Sequence, residues 1–299
     1  MTTPDTSVQV FSTTDLNPQL LDKLTGHKYD YGHLLVFAGG AGKTGAARLA
    51  ARAGLRVGTG LVTLAAPRDA CSEIGAQITA VMLRPFADTD AVAALLDDRR
   101  ISAIAVGPGF GLQASQADVL EVILSSKRKT VLDADALTLI SQNPNLFQRL
   151  HPNCIMTPHD GEFARLFPDL THNRAKKGDE DLPRIVEGLK YAVHRAKCSI
   201  LLKGADTLVA TPGAATVLHR AKGDIAAPWL ATAGSGDVLT GLIGGLLARG
   251  FDLQDAANYA VWLHAECARS FGPGLIAEDL SEELPKVLAK VIGGNVRVR

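Results

Sequence analysis

The stretch of sequence that decides the fold reads Ala231-Thr232-Ala233-Gly234-Ser235-Gly236-Asp237, and the apolar run 238–248 follows it at once. Glycines let several backbone N–H groups converge on one point, and the N-terminus of the following helix adds partial positive charge. Such a turn attracts a phosphate group. Asp237 is then placed to take a proton from a hydroxyl about to meet that phosphate. The alternative interpretation is that Asp237 only caps the helix and the glycines only form the turn.

Outside this stretch, apolar strand-like runs alternate with helical periodicity along the chain. Strands are predicted over 33–38, 61–65, 80–83, 101–106, 130–132, 155–156, 199–202, 207–210 and 216–218, and helices over 44–57, 90–97, 117–125, 136–141, 182–196, 237–249, 253–271 and the C-terminal tail. The last two strands pair most simply as a hairpin, and the charged stretch 174–181 is predicted to be an exposed loop. This alternation indicates an α/β fold with a central, mostly parallel sheet and helices on both faces. We predict a single domain over 26–299, preceded by an N-terminal arm, 1–25, that is polar or forms a short helix.

Chemically useful residues follow several of the predicted strands. In an open α/β sheet, ligands bind at the carboxyl ends of the strands. The segments found there are Gly39-Gly40-Ala41-Gly42, Gly107-Pro108-Gly109-Phe110-Gly111, Asp133-Ala134-Asp135, Thr157-Pro158-His159-Asp160-Gly161-Glu162 and Lys203-Gly204-Ala205-Asp206-Thr207. Glycines, carboxylates, a histidine and a lysine therefore share one edge, which predicts the location of the site.

Three familiar motifs are absent on close inspection. A phosphate-binding P-loop ending in Gly42-Lys43-Thr44 requires glycine where Phe37 stands. A dinucleotide fingerprint that begins at Gly107 requires glycine where Leu112 stands. A hydrolase nucleophile elbow around Ser235 requires glycine where Ala233 stands. None of these three classes of site is predicted.

The pair His159 and Glu162 is compatible with metal or substrate contacts. It is weak support for zinc, because no third ligand has suitable spacing. A carboxylate that helps to hold hydrated Mg²⁺ near phosphates suits Glu162 better. Asp133 and Asp135 can reach the same edge or can cap the following helix. Trp229 and Trp262 are interpreted as core or partial-core residues rather than as platforms for base stacking.

The composition excludes some partners. Of 299 residues, 46% are hydrophobic and 21% charged, which is ordinary for a globular protein. Lysine plus arginine and aspartate plus glutamate number 31 each, so the chain lacks the basic surplus of a typical nucleic-acid binder. The length suits one large domain or two ordinary ones.

The cysteines and the N-terminal residues bear on the compartment. Cys71, Cys154, Cys198 and Cys267 lie far apart, which favours free thiols in a reducing compartment over a disulfide scaffold or a zinc site. Residues 1–20 have neither a basic start nor a long apolar stretch, and no run approaches the roughly 18 apolar residues of a membrane span. A cytoplasmic protein without a membrane partner is predicted.

Taken together, the segments resemble the ADP/ATP-dependent NAD(P)H-hydrate dehydratases, a branch of the ribokinase-like superfamily. The resemblance covers about residues 26–270. It is carried by Gly26-His27-Lys28 with Tyr31-Gly32, Thr44-Gly45-Ala46-Ala47, Gly58-Thr59-Gly60-Leu61-Val62, Gly107-Pro108-Gly109, Leu132-Asp133-Ala134-Asp135-Ala136-Leu137, Thr157-Pro158-His159 with Gly161-Glu162, Lys203-Gly204 and the stretch from Ala231 to Gly241.

The resemblance implies a repair reaction on a damaged cofactor. Water adds across a double bond of the nicotinamide ring of NADH or NADPH and leaves a hydroxyl at C6. An enzyme of this family phosphorylates that hydroxyl from ADP or ATP and lets phosphate leave, which restores the reduced cofactor. The resemblance further implies a lyase that uses Mg²⁺ and often forms a homotetramer. It also implies that the epimerase domain fused to some relatives is absent, since no second domain precedes residue 26.

The family's site residues carry over onto matching positions of this sequence. Asp237 would be the base, and the amides of Gly234, Ser235 and Gly236 would hold the transferring phosphoryl group. The adenine nucleotide would contact Lys203, Gly204, Ala205, Asp206 and Thr207. The hydrate would contact Ala46, Gly109, His159 and Asp237, and Glu162 would lie near Mg²⁺ and the phosphates.

Two segments depart from the family pattern. Asp160 stands where the family usually has proline in Pro-His-Pro-Gly-Glu, and Pro228-Trp229-Leu230-Ala231 replaces a more usual Pro-Gly-Met-Ala. Two other functions remain open. One is a small-molecule kinase of the same superfamily that stops at the phosphate ester of a vitamin-precursor alcohol. The other is a nucleotide-binding regulator without turnover, against which the presence of Asp237 argues.

The sequence leaves the choice of ADP or ATP, of NADH or NADPH hydrate, and the oligomeric state open. Arg48, Arg52 and Arg56 recur at four-residue spacing on one helix. Such a stripe is usually a solvated face, and the alternative is a contact with another subunit or with substrate.

Overall fold

A computed structural model describes residues 8–170 and 182–294. Its strands are β1 (Val8–Val10), β2 (His33–Phe37), β3 (Leu61–Pro67), β4 (Met82–Phe86), β5 (Ala103–Val106), β6 (Lys129–Leu132), β7 (Cys154–Met156), β8 (Ser199–Leu202), β9 (Asp206–Ala210) and β10 (Thr216–Arg220). Its helices are α1 (Pro18–Leu21), α2 (Gly45–Arg56), α3 (Cys71–Gly75), α4 (Thr89–Leu96), α5 (Ala114–Ser125), α6 (Ala134–Gln142), α7 (Pro144–Gln148), α8 (Asp160–Leu166), α9 (Leu182–Ala196), α10 (Ser235–Ala248), α11 (Leu253–Phe271) and α12 (Ala277–Ile292).

The ten strands form one sheet in the order β1-β10-β9-β8-β7-β6-β5-β2-β3-β4. Neighbouring strands are parallel except that β9 runs antiparallel to both β8 and β10. The predicted fold class and the predicted hairpin are therefore confirmed. The parallel strands from β2 to β8 end at a common edge, as the ligand-site argument requires.

The N-terminal segment contains structure that the sequence pattern did not predict. Residues Val8–Val10 form an edge strand that pairs in parallel with β10, with Val8 opposite Thr216. The expectation of a polar arm or short helix was wrong for this strand, because three residues are too few for a period to show. A short helix, α1, does follow, and Asn17 caps it.

The helices cover both faces of the sheet, each over its own hydrophobic core. On one face lie α1, α2, α10, α11 and α12, and on the other lie α4, α5, α6, α8 and α9. Small residues bring α2 close to α10, since a Cβ on Gly241 would lie 2.0 Å from the Ala50 carbonyl oxygen. Every residue of α10 from Val238 to Ala248 is buried, so the apolar run after the turn is the central helix of its layer.

Several predicted boundaries shift by a few residues. The strand predicted at 80–83 runs from Met82 to Phe86, and the strand predicted from 101 begins at Ala103 although Ile101 is also buried. Helices α5 and α6 begin at Ala114 and Ala134, earlier than predicted, and α3, α7 and α8 were not predicted. The predicted loop 174–181 lies outside the described residues.

Two other expectations can be compared with the described residues. Cys154, Cys198 and Cys267 are buried free thiols and Cys71 is a partly buried one, as predicted. Within residues 8–170 and 182–294, no helix combines the length and the apolar character that a membrane span requires.

The arginine stripe of α2 makes contacts within the chain. Arg52 and Arg56 both pair with Glu282 of α12, at 2.6 and 2.9 Å between nitrogen and oxygen. All three side chains are substantially exposed, so these ion pairs add little stability. Two of the three arginines therefore connect neighbouring helices.

Candidate active site

The turn that opens α10 is held by its neighbours in a defined shape. Gly234 has φ +85°, and a Cβ at this position would lie 2.8 Å from Leu49 Cδ1, so only glycine fits. The Ser235 hydroxyl donates to the Leu230 carbonyl at 2.7 Å. His264 Nε2 donates to the Ser235 carbonyl at 2.9 Å. Burial lowers the pKa of His264 to about 4, so this donor is neutral at physiological pH.

Asp237 is the third residue of α10 and is partly buried beside that turn. Burial and, to a smaller extent, the charge of Asp133 raise its pKa, Lys203 opposes both effects, and the resulting pKa is about 6. At pH 7 to 8 the carboxylate is ionised and yet more basic than an ordinary aspartate, because its pKa lies closer to the working pH. Asp237 can therefore accept a proton from a hydroxyl in this position.

A buried ion pair lies next to Asp237. Asp133, at the end of β6, is 2% exposed. It accepts hydrogen bonds from Lys203 Nζ and from Thr240 Oγ1, each at 2.7 Å. Lys203 Nζ lies 3.7 Å from the point where a Cβ on Gly236 would stand, so the cation is close to the glycine turn. The site thus places one cation, paired with the buried carboxylate of Asp133, close to the glycine turn.

Backbone strain occurs next to this pair. Ala134 has φ +45°, a left-handed conformation that residues with a side chain rarely adopt. It lies between Asp133 and Asp135, and Asp135 accepts a hydrogen bond from the Gly111 amide at 2.8 Å. Strained residues of this kind cluster at functional sites, where the surrounding structure holds them in place.

His159 and Glu162 together cap the start of α8. His159 Nδ1 accepts from the Gly161 amide at 2.9 Å, and Glu162 Oε2 accepts from the His159 amide at 2.8 Å. The His159 side chain is 55% exposed, whereas that of Glu162 is 7% exposed. Glu162 Oε2 also lies 4.0 Å from Lys203 Nζ. The histidine ring is thus accessible at the site edge and the glutamate lies within the charged cluster.

Main-chain atoms of the loops after β2, β5 and β6 form one side of the site, which we call its floor. A Cβ on Gly39 would lie 1.9 Å from the Gly109 carbonyl oxygen, and one on Gly107 would lie 1.7 Å from the Asp133 carbonyl oxygen. These glycines let the loops after β2, β5 and β6 touch backbone to backbone. The Ala46 Cβ lies 3.7 Å from the Cβ position of Gly109, so the structure brings these two predicted substrate contacts together.

The loop after β8 is held by internal hydrogen bonding and by contacts with residues 221–222. The Thr207 hydroxyl donates to the Gly204 carbonyl at 2.9 Å, and Asp206 pairs with Lys222 at 2.7 Å. The Ala205 carbonyl accepts from the Ala221 amide at 3.1 Å. Lys203 lies in the charged cluster, so within this predicted nucleotide-binding segment it is the residue placed to meet phosphate.

The residues around Glu162 suit a magnesium ion that is held mainly by phosphate. Mg²⁺ in such sites binds one or two carboxylates together with substrate oxygens and water. Within the described ranges, no group of three or more histidine, cysteine, aspartate or glutamate side chains is arranged to hold a metal by itself. Both oxygens of Asp133 already accept hydrogen bonds, which leaves Glu162 as the better candidate.

Two residues of the site were not singled out from the sequence. Thr240 lies one helical turn after Asp237, and that spacing could have indicated it. His264 lies on the buried face of α11, where a lone histidine has no pattern that separates it from a core residue. The interpretation of Trp229 as a core residue was wrong, since it is 44% exposed, whereas Trp262 is buried at 7%.

The fold belongs to a known class. A ribokinase-like superfamily protein from Enterococcus faecalis superimposes with a TM-score of 0.77 at 21% identity, covering 95% of this chain and 96% of that one. An ADP/ATP-dependent NAD(P)H-hydrate dehydratase from Bacillus subtilis, co-crystallized with ATP/Mg²⁺, superimposes with a TM-score of 0.70 at 27% identity, covering 90% and 93%. The strand order, the glycine turn and these similarities define a ribokinase-like protein.

Within that class the family is also defined. The sequence profile of the NAD(P)H-hydrate dehydratases matches residues 34–288, so the chain belongs to that family. A bifunctional NAD(P)H-hydrate repair enzyme from Synechocystis is 35% identical over 287 residues, covering 91% of this chain and 52% of the relative. One from Moorella thermoacetica is 36% identical over 278 residues, covering 88% and 50%. The chain thus spans about half the length of the curated relatives it matches.

Proposed function

We propose that this chain repairs hydrated nicotinamide cofactors. It dehydrates the 6-hydroxy hydrate of NADH or NADPH at the expense of ADP or ATP, by phosphorylating the hydroxyl and eliminating phosphate. Family membership supports the proposal, as does the dehydratase name of the Bacillus subtilis relative. The observation that carries it is Asp237, whose pKa is raised to about 6, beside a glycine turn with Lys203 close by.

The first step is transfer of a phosphoryl group. Asp237 accepts the proton of the C6 hydroxyl as the oxygen attacks the terminal phosphorus, and the bond from that phosphorus to the rest of the nucleotide breaks. The amides of Gly234, Ser235 and Gly236 stabilise the negative charge that spreads over the phosphoryl oxygens. Lys203 adds a positive charge on the same side.

The second step releases phosphate from the ring. The C6–O bond breaks with its electron pair on the phosphate, the neighbouring ring carbon loses a proton to solvent water, and the double bond forms again. The hydrate contacts Ala46, Gly109 and His159 as well as Asp237. His159 suits this role because its ring is exposed at the edge of the site while its Nδ1 atom is engaged by backbone amides.

The nucleotide and the metal occupy the other side of the site. Residues Lys203 to Thr207 contact the adenine nucleotide, which continues to the turn at Gly234. Mg²⁺, when bound, neutralises charge on the transferring phosphates. Glu162 would hold it, since its carboxylate is buried in the charged cluster next to the turn.

The proposal extends to the setting of the enzyme. Residues 26–299 act as the catalytic domain, and the segment before it adds the edge strand β1 to its sheet. The partners are small molecules, with no nucleic acid and no membrane, and the compartment is the cytoplasm, which suits the free buried thiols. A homotetramer is proposed from the resemblance alone, and light scattering of the purified chain tests it.

The experiment combines the enzyme with Mg²⁺, hydrated NADH or NADPH, and either ADP or ATP. Return of the absorbance of the reduced nicotinamide supports the dehydratase. A phosphorylated product that accumulates without that return supports a kinase instead, and nucleotide binding without any product supports a regulator. Comparing the four substrate pairs also assigns the preferred nucleotide and cofactor.

A further inference from the structure

The segment 221–234, which we call the strap, follows β10, begins beside the loop after β8 and ends in the glycine turn. At its start, the Ala221 amide donates to the Ala205 carbonyl and Lys222 pairs with Asp206. At its end, the Leu230 carbonyl accepts from the Ser235 hydroxyl at 2.7 Å. The strap therefore runs from the proposed adenosine contacts to the proposed phosphate contacts.

The strap is held in place along its length. In its middle, Arg269 of α11 donates to the Ile225 carbonyl at 3.1 Å. Ala227 and Leu230 pack against the hydrophobic core. Pro228 begins a single 3-10 turn over Pro228–Leu230, and its ring restricts the local backbone. A side chain on this turn is consequently presented in a defined position.

Trp229 is the one aromatic residue of the strap, and it points away from the core. Its side chain is 44% exposed, whereas that of Leu230 is partly buried against the core. Leu230, the next residue, is bonded directly to Ser235 of the glycine turn. The indole therefore stands on the short turn whose last residue is hydrogen-bonded to the glycine turn.

We propose that Trp229 is the stacking platform for the adenine ring of the nucleotide. This inference rests on the proposed function and adds the recognition of the base to it. A nucleotide that contacts both the glycine turn and Lys203–Thr207, as proposed above, lies along the strap, because the strap is bonded to both segments. Indole rings stack on bases through their faces without reading the base edges. The residue thus contributes affinity for the purine ring rather than for the phosphates.

Calorimetry on three proteins tests this: the unaltered chain, Trp229→Ala and Trp229→Phe. Removing one base–aromatic stack costs about five- to hundredfold in affinity, so Trp229→Ala should raise the Kd for Mg²⁺-ADP by that factor. Trp229→Phe keeps a stacking face and should retain most of the affinity. The Kd for inorganic pyrophosphate, which has no base, should not change in either variant.

Fluorescence gives a second measurement that does not depend on turnover. The chain has two tryptophans, and Trp262 is buried at 7% exposure. Mg²⁺-ADP should quench the unaltered chain but not Trp229→Phe, and pyrophosphate should quench neither. Equal ADP affinity of Trp229→Ala and the unaltered chain overturns the stacking proposal, as does weakened pyrophosphate binding. The stacking proposal is also overturned if Trp229→Ala changes the oligomeric state or the hydrate affinity while its ADP affinity stays intact. If the unaltered chain binds no adenine nucleotide, the proposed function falls as well.

Discussion

Replacing Asp237 with asparagine should abolish most of the activity and, at the same time, stabilise the fold. The amide keeps the shape of the carboxylate but removes its basicity. General-base catalysis contributes typically about 10²–10⁴-fold, so turnover should fall by at least about two orders of magnitude. Nucleotide affinity should be retained or improved, because a negative charge near the phosphates is gone.

The gain in stability follows from the raised pKa of Asp237. A pKa of about 6 in the folded state, against an ordinary 3.8, means that the ionised group opposes folding. The full difference corresponds to about 3 kcal/mol, and solvent reaching the partly buried carboxylate reduces it, so about 1–3 kcal/mol is expected at pH 8. As pH falls through about 6, the folded state of the unaltered chain binds the extra proton, so the stability gain of Asp237→Asn shrinks. Below about pH 4 that gain is absent.

Urea unfolding at pH 8 and pH 4.5, together with the nicotinamide absorbance assay, measures both effects. Asp90→Asn is the control, since Asp90 is an exposed aspartate in the first turn of α4 and lies outside the site. The activity of the unaltered chain should also fall as pH falls through about 6, because Asp237 becomes protonated. Near-full turnover of Asp237→Asn would refute the role of Asp237 as the base. A stability gain that does not depend on pH would refute the electrostatic account.

Three further outcomes are expected. In a urea titration, Lys203→Met should cost about 3 kcal/mol of unfolding free energy, because it leaves Asp133 buried without its cation. The double variant Lys203→Met, Asp133→Asn should lose less. Lys203→Ala should weaken ADP binding more than hydrate binding, and calorimetry that shows unchanged ADP affinity would remove this lysine from the site. His264→Leu removes the donor that holds the glycine turn and should raise the KM for ADP in steady-state kinetics. His264→Gln supplies a donor again and should restore the KM of the unaltered chain. Gly234→Ala forces a Cβ to within 3 Å of two neighbours and should lower both Tm and turnover. Gly213→Ala is the control, because Gly213 also has a positive φ but has open space around it, and it should cost only about 1 kcal/mol in thermal unfolding.

Local pattern was enough to predict the sheet and the edge at which the candidate site residues meet. Parallel strands that are buried on both faces are nearly continuous apolar runs, and this is how β2, β5 and β8 were found. The ends of the strands were predicted less accurately, because a residue can be buried without being paired to a neighbouring strand. Ile101, for example, is buried but precedes the first paired residue of β5.

Contacts between distant parts of the chain could not be predicted in the same way. Asp133 and Lys203 were both placed at the correct edge, but their ion pair joins residues 70 positions apart. The pairing of Val8–Val10 with β10 is a contact of the same kind. Trp229 shows a further limit, since Pro-Trp-Leu has no period that distinguishes an outward side chain from an inward one.

The backbone floor described above has a consequence for how such an enzyme diversifies. Gly39, Gly107 and Gly109 leave no room for any side chain, so no single substitution there can reshape the floor without separating the loops. Substitutions that change which molecules enter the site are therefore expected at its rim, where Trp229 and the His159 ring are exposed. The floor therefore fixes the reacting centre, and the rim is left to set which molecules reach it.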